Sequence, residues 1–209
     1  MMFRDRDDAA IQLAEQLMVY QGKNPLVLAI PRGAVPMAKI IADKLNGEMD
    51  IVLVRKLGAP GNPELAVGAV DETGWTYVTQ ESSFLVHDSQ YIRDEKAKQL
   101  AIMRERRNRY TPFRPPLDPQ GRIVIIVDDG LATGSTMIAA LHALRAKSPE
   151  QLIGAVPVAP PETLAKVALF ADDIVCLEIP ALFYAVGQFY QTFEQVSDEE
   201  VIALLKQNP

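Results

Sequence analysis

The sequence predicts an α/β fold: an open, mainly parallel sheet with helices on both faces. Three observations predict it. Short apolar runs recur at "PLVLAI" (25–30), "RIVIIV" (122–127), "QLIGAVPVA" (151–159) and "DIVCLEI" (173–179). These runs are mostly continuous rather than alternating, as in strands covered on both faces. Helix-patterned stretches lie between them, namely "MAKIIADKL" (37–45), "GSTMIAALHALRAK" (134–147) and "PPETLAKVALF" (160–170). Strands that alternate with helices in this way read as a Rossmann-like sheet. In such sheets ligands bind beyond the carboxyl ends of the strands.

The elements follow in order. Residues 5–21 carry Ile11, Ala14, Leu17 and Met18 at helical spacing, ending near Gly22. The first strand, 25–30, leads through a turn, "PRGAVP" (31–36), into the helix 37–45. "DIVLVRK" (50–56) reads as one further strand. "LGAPGNPEL" (57–65) has a Gly and Pro density that predicts irregular structure. "AVGAV" (66–70) and "WTYVT" (75–79) flank "DETG" and read as a hairpin. A long charged helix covers 88–110, and "TPFRPPLDPQG" (111–121) is a proline-rich connector. The aromatic segment 179–196 and a last helix, 198–207, close the chain. The expected organisation is one domain over 1–209, with its core at about 25–180 and a C-terminal hood with its helix at about 179–207.

The chain of 209 residues is 48% hydrophobic and 23% charged, with a net charge of −6. That sign disfavours nucleic-acid binding by the bulk field. One cysteine, Cys176, excludes an intrachain disulfide and a multi-cysteine zinc site. "MMFRDRDDAA" lacks the apolar core of a secretory signal, and no apolar run reaches membrane-spanning length. A cytoplasmic protein with no membrane partner is expected.

The informative stretch is "IVIIVDDGLATGST" (123–136). A buried strand ends in two adjacent carboxylates, Asp128 and Asp129. A small hydroxylated turn follows, then a helix. Thr133, Gly134, Ser135 and Thr136 at a helix N-terminus suit a phosphate. The absence of lysine from the turn excludes the G-x-x-x-x-G-K-[ST] nucleotide loop. An ordinary helix capped by Thr133 or Ser135 is the competing reading. Two neighbouring carboxylates repel, and burial without partners is costly. They are better accommodated by ligand hydroxyls or a divalent cation. A phosphorylated sugar would present both a diol and a phosphate to this segment.

"VIIVDDGLATGST" resembles the motif by which type I phosphoribosyltransferases bind phosphoribosyl pyrophosphate (PRPP): four apolar residues, two acidic residues and a Thr-Gly-x-Thr turn. The resemblance implies that Asp128 and Asp129 bind the ribose 2′- and 3′-hydroxyls and face Mg²⁺. It implies that Ala132, Thr133, Gly134, Ser135 and Thr136 hold the 5′-phosphate. "IPRGAVP" resembles the family's pyrophosphate loop, with Arg32 and Gly33 at its centre and a cis Pro31–Arg32 peptide; a solvated surface turn is the alternative for these residues taken alone. "VRKLGAPGNPELAVG" occupies the place of its mobile catalytic loop. Arg55 and Lys56, at that loop's root, are pyrophosphate candidates. The implied reaction displaces pyrophosphate from C1 of PRPP by a nitrogen nucleophile, through a transition state of oxocarbenium character. Mg²⁺ is the implied cofactor, a nucleobase-like acceptor the implied second substrate, and a homodimer the implied assembly. Arg32, Arg55, Lys56, Asp128 and Asp129 form the expected catalytic set.

Two positions depart from relatives within that family. Ala132 stands where 6-oxopurine transferases carry aspartate, as it does in adenine transferases. The loop 57–65 contains Glu64 but no lysine or arginine, unlike orotate transferases. For base recognition the candidates are Phe183 and Tyr184, by stacking; packing of the last helix is the alternative, and Trp75 a weaker candidate. His87 and His142 are dispersed, and no Ser-His-Asp set emerges. The basic helix 88–110 reads as a solvated face or a subunit contact rather than a nucleic-acid surface. A protein that senses PRPP without efficient turnover is the second functional reading, and the base-poor loop favours it slightly.

Overall fold

A computed structural model describes residues 2–78, 89–112 and 116–207, with the backbone alone at 63–66 and 89. Five strands form a parallel sheet: β1 (Leu26–Ala29), β2 (Glu48–Ile51), β6 (Ile123–Val127), β7 (Gln151–Val158) and β8 (Asp173–Glu178). Their order is β2-β1-β6-β7-β8. Three further strands, β3 (Val54–Ala59), β4 (Asn62–Asp71) and β5 (Thr76–Val78), form a small antiparallel sheet. The helices are α1 (Arg6–Gln16), α2 (Ala34–Leu45), α3 (Ser89–Tyr110), α4 (Ser135–Arg145), α5 (Pro161–Val167) and α6 (Asp198–Lys206).

Residue alternation in the central strands builds two apolar layers. Ile125 and Val127 of β6 pack with Leu13 of α1, Met37 and Ile41 of α2 and Val201 of α6. Val124 and Ile126 face the other way, toward Met137, Ile138 and Leu141 of α4 and Val167 at the end of α5. Every β6 side chain is buried, which is why its sequence is apolar without alternation. β8 is the sheet edge and is only half-buried. Ser197 and Glu200 form a reciprocal cap that starts α6. Among the described residues no helix is long and apolar enough to cross a membrane.

The strand order fixes where a ligand can sit. From β1 the chain winds outward to β2, and from β6 it winds the opposite way to β7 and β8. The crevice between the carboxyl ends of β1 and β6 is therefore the switch point.

Three expectations need correction. The run 50–56 is two strands: the chain leaves the parallel sheet after Ile51 and enters the antiparallel one at Val54. Residues 57–65 are not irregular but belong to the β3–β4 hairpin. Gly58 lies at a register shift, and Gly61 takes φ +75° in the tight turn between Ala59 and Asn62. Residues 63–65 fall between the Ala59–Asn62 and Gly58–Ala66 pairs. A bulge and a turn thus absorb the glycines and prolines. Finally, α2 begins at Ala34, so the turn after β1 is only residues 30–33. Pro36 is tolerated because it lies in the first turn of that helix. The expected His87, the last hairpin residue Thr79 and the first residue of the 88–110 helix lie outside the described residues.

Candidate active site

A cavity of about 350 Å³ opens at the switch point. Its floor is the segment that follows β6. Asp128 N–H donates to the Ala155 carbonyl at 3.3 Å, and Leu131 N–H to the Val158 carbonyl at 2.9 Å, so the turn continues the pairing with β7. Asp129 N–H donates to Asp128 Oδ1 at 2.9 Å. Burial, and then the neighbouring Asp129 charge, push the Asp128 carboxyl well above the usual carboxylate range.

The hydroxylated turn is held from outside. Thr163, itself buried, donates its hydroxyl to the Ala132 carbonyl at 2.7 Å. Gly134 takes φ +74°, and a Cβ there would lie 2.8 Å from Val167 and 2.9 Å from Thr163. Only glycine satisfies both constraints. Ala132, Thr133, Gly134 and Thr136 line the cavity. The first-turn N–H groups of α4 lack partners within the helix, and the positive end of its dipole lies here. Ser135 is buried, its hydroxyl shared with Thr133 at 3.1 Å, and it does not line the cavity.

Arg6 is the residue that sequence reasoning missed. Its Nε and Nη2 donate to Asp129 Oδ2 at 2.9 and 2.7 Å. Its Nη1 donates to the Glu194 carbonyl at 2.6 Å, and its guanidinium lies 3.9 Å from the Phe193 ring centroid. Both charged side chains are more than four-fifths buried. One arginine thus joins α1, the acidic pair and the C-terminal segment. The Tyr190 hydroxyl adds to this by donating to the Asp129 carbonyl at 2.7 Å. Burial, then the Asp129 charge, raises the Tyr190 pKa, so it stays protonated as a donor. A charged residue opening a helix gave no local signal for a contact 123 positions away.

The segment after β1 lies opposite. Ile30 and Pro31 line the cavity, and the Pro31–Arg32 peptide is cis, as the resemblance implies. A Cβ on Gly33 would stand 2.1 Å from Asp129 Oδ2, so this glycine is what lets the acidic pair approach the turn. Arg32 is not brought to the cavity wall: its guanidinium lies 3.6 Å from Asp198 of α6. The nearby carboxylate outcompetes the open cleft. Lys56 lines the cavity, whereas Arg55 points into a neighbouring one and donates to Gln99 Oε1 at 2.8 Å.

The structure does not bring Phe183 and Tyr184 to the cavity. Phe183 stacks on Phe189 at 5.4 Å, and Tyr184 is 85% exposed. Val186 and Phe193 form the wall instead. The same aromatic segment supplies them, but its sequence has no period that tells inward rings from outward ones. Trp75 is stacked on His142 at 3.6 Å, outside the cavity lining. Cys176 is half-buried, and burial pushes its thiol up to about 11.

Among the described residues no three His, Cys, Asp or Glu side chains gather as a metal site. Asp128 and Asp129 are the carboxylates in this cavity, and Asp129 Oδ2 already accepts from Arg6. That donor set does not fit a closed protein cage. It fits a hard cation such as Mg²⁺, which takes one or two carboxylates and completes its shell with water and ligand oxygens.

Comparison with known proteins agrees with this arrangement. A protein of Mycobacterium tuberculosis strain H37Rv, named "Putative phosphoribosyl transferase Rv0571c", is 43% identical over 98% of this chain and 46% of that protein. The chain thus spans about half the length of the curated relatives it matches. The crystal structure of TT1426 from Thermus thermophilus is similar with a TM-score of 0.83, at 43% identity and over 99% of both chains. A hypoxanthine-guanine phosphoribosyl transferase of L. donovani shares the fold at a TM-score of 0.50, with 14% identity over 88% of this chain and 84% of that one. The model of the phosphoribosyl transferase domain matches residues 2–190. With a parallel sheet that places an acidic pair and a hydroxylated turn at its switch point, the chain belongs to the phosphoribosyl transferase family.

Proposed function

We propose that the chain binds PRPP at the switch-point cavity and transfers its phosphoribosyl group to a nitrogen heterocycle, releasing pyrophosphate. The observation that carries this reading is the convergence of Asp128, Asp129 and the turn residues Ala132, Thr133, Gly134 and Thr136 on one cavity. The carboxylates accept from the ribose hydroxyls. The α4 N-terminus and the Thr133 and Thr136 hydroxyls take the 5′-phosphate. Gly33 keeps the loop close to the pair, and Lys56 reaches toward the leaving group. Asp128 and Asp129 would hold a Mg²⁺ ion together with the ligand, and that ion would supply charge neutralisation for the leaving pyrophosphate. The protein's contribution is positioning, exclusion of water and charge compensation, with no covalent nucleophile.

The acceptor approaches from the side of Val186 and Phe193, where apolar side chains line the cavity and the Phe193 ring, stacked on Tyr190 and covered by Arg6, offers its edge. Asp129, held by Arg6, accepts from one ribose hydroxyl through the carboxylate oxygen that Arg6 leaves free, and Asp128 accepts from the other. The test incubates the protein with PRPP, Mg²⁺ and a panel of nucleobases and related heterocycles, and measures pyrophosphate release. Release that depends on one acceptor class and is lost in Asp128→Asn supports transfer. Calorimetry without detectable PRPP binding refutes the reading.

One observation favours a second reading, PRPP sensing with little turnover. Arg6 already occupies one of the two Asp129 carboxylate oxygens. Tight PRPP binding without acceptor-dependent release identifies a sensor.

A further inference from the structure

The chain has two histidines and one tryptophan, and the switch-point cavity uses neither His142 nor Trp75. His142, in α4, lies flat on Trp75, with ring centroids 3.6 Å apart and planes 8° apart. Its Nδ1 lies 3.8 Å from Oδ2 of Asp71, the last residue of β4. Asp71 is fully buried. Neither Nδ1 nor Oδ2 has a hydrogen-bond partner, and both atoms are shut off from solvent.

The two carboxylate oxygens of Asp71 thus differ. Oδ1 is saturated: it accepts from Thr73 N–H at 2.8 Å, the Thr73 hydroxyl at 2.6 Å and Trp75 N–H at 3.0 Å, which shapes the turn from β4 to β5. Oδ2 is bare, and a bare buried carboxylate oxygen costs stability. Among the described residues His142 is the ion-pair partner that Asp71 has in reach. The other charged groups on the packed elements are engaged or lie elsewhere. Glu72 of the turn pairs with Arg107 of α3, and Arg145 of α4 with Asp172. Arg55 bonds Gln99, Lys56 lines the switch-point cavity, Lys147 borders a separate cavity beside Glu72, and Lys96 of α3 lies over Gly74. Tyr77 of β5 packs edge-on against Phe170.

A gap of 3.8 Å is too long for a hydrogen bond. A proton on Nδ1 supplies the donor that Oδ2 lacks, and a positive charge on the ring adds attraction to the carboxylate and to the Trp75 face. Imidazole is the side chain that changes charge between about pH 5 and 8. The contact is therefore strongest with the ring charged, and it weakens as rising pH removes that charge. Its position gives it leverage. α4 packs on β3, β4 and β5, and its N-terminus follows the hydroxylated turn. Asp71 pairs with Val54 across the hairpin, two residues before Lys56, which reaches the cavity.

We propose that Asp71 and His142 form a proton-operated latch that fastens the antiparallel sheet to α4 and tightens as pH falls from about 8 to about 6. The latch needs no ligand. Its consequence for the cavity, a firmer hold on Lys56 at the lower pH, rests on the proposed PRPP reading.

The test uses the whole, ligand-free chain at about pH 8 and about pH 6. The variants are His142→Gln, His142→Phe and Asp71→Asn, and circular dichroism confirms that each is folded. Trp75 fluorescence reports the charge on its stacked neighbour, because an imidazolium in contact quenches indole. Amide exchange, corrected for its intrinsic pH dependence, reports opening at Asp71, Gly74 and Trp75, whose N–H groups close the turn. In the parent chain fluorescence should fall, and exchange should slow at least about tenfold, toward the lower pH. Both responses should vanish in His142→Gln and His142→Phe. Asp71→Asn should reverse the exchange response, since an amide NH₂ donates to an unprotonated Nδ1 and repels an imidazolium. A merely structural contact would loosen the turn without a change of sign with pH. The two His142 variants carry the test if Asp71→Asn does not fold. Exchange that responds to pH equally in the parent and both His142 variants, or that keeps its sign in a folded Asp71→Asn protein, overturns the proposal. Pyrophosphate release that follows the latch in the parent but not in His142→Gln supports the link to Lys56. The full set of exchange responses in a chain that binds no PRPP supports the latch while refuting the PRPP reading.

Discussion

Gly33→Ala is the sharpest probe of how the site is assembled. The backbone at Gly33 is ordinary for any residue, with φ −57° and ψ −32°, so the substitution adds a methyl group without conformational strain. That methyl would stand 2.1 Å from Asp129 Oδ2 and 3.0 Å from Arg6 Nε and Nη2. Real contacts of this kind stay beyond 3.0 Å, so the carboxylate must retreat by roughly 1 Å. Retreat breaks both N–H···O bonds from Arg6, now 2.9 and 2.7 Å. Charge-assisted bonds are worth about 1.5–3 kcal/mol each, and two that share one oxygen do not add fully. Both partners remain and can recruit water, so the net loss is about 2–3 kcal/mol. For a chain of this length that lowers Tm by about 4–12 °C. Calorimetric melting checks the number, and amide exchange should speed up at residues 189–194, which Arg6 ties down through Glu194. A double-mutant cycle with Arg6→Ala should be strongly non-additive, since both changes remove one interaction. A Gly33→Ala protein that melts within about 1 °C of the parent refutes the reasoning, as do fully additive effects.

Three further outcomes are expected. Thr163→Val keeps the shape but loses the bond to the Ala132 carbonyl, and should cost about 1 kcal/mol in stability and weaken ribose 5-phosphate binding in titration calorimetry. Asp198 has its carboxyl held below the usual range by the Tyr110 hydroxyl first and by Arg109 and Arg32 next. A depressed carboxylate stabilises the fold above about pH 3.9 and loses that contribution as pH falls through its folded value; Asp198→Asn should therefore flatten the acid limb of a Tm–pH curve, and an unchanged limb would count against the assignment. Phe193→Ala should raise the acceptor KM of whichever heterocycle supports pyrophosphate release, whereas Tyr184→Ala, at a ring 85% exposed, should leave it unaltered.

What was legible in the sequence was what short-range chemistry encodes. β6, the acidic pair, the turn and α4 are contiguous, and each residue's role follows from its neighbours in the chain. The parallel sheet followed from runs such as "VIIV" that are apolar at every position. The hairpin at 54–71 was hidden because Gly58, Pro60 and Gly61 break regular structure in isolation, while a bulge and a turn accommodate them once β4 pairs. Arg32 stands in a motif that implies a pyrophosphate contact, but the position of its guanidinium beside Asp198, far along the chain, has no signal in that motif. Arg6 could not be read at all, because its partners Asp129, Phe193 and Glu194 come together only in the folded molecule.

The stitching of residues 3–6 to 189–194 bears on how the protein folds. Phe3 N–H donates to the Phe189 carbonyl, Gln191 N–H to the Phe3 carbonyl and Thr192 N–H to the Arg4 carbonyl. These bonds close a loop of nearly the whole chain, so their entropy cost is met only after the sheet has brought both segments together. The half-site made by β6 and α4 needs no such closure. The hydroxylated turn between β6 and α4 is thus built from contiguous residues, whereas the wall of the cavity that carries Phe193 is joined to Arg6 only once the two distant segments have met.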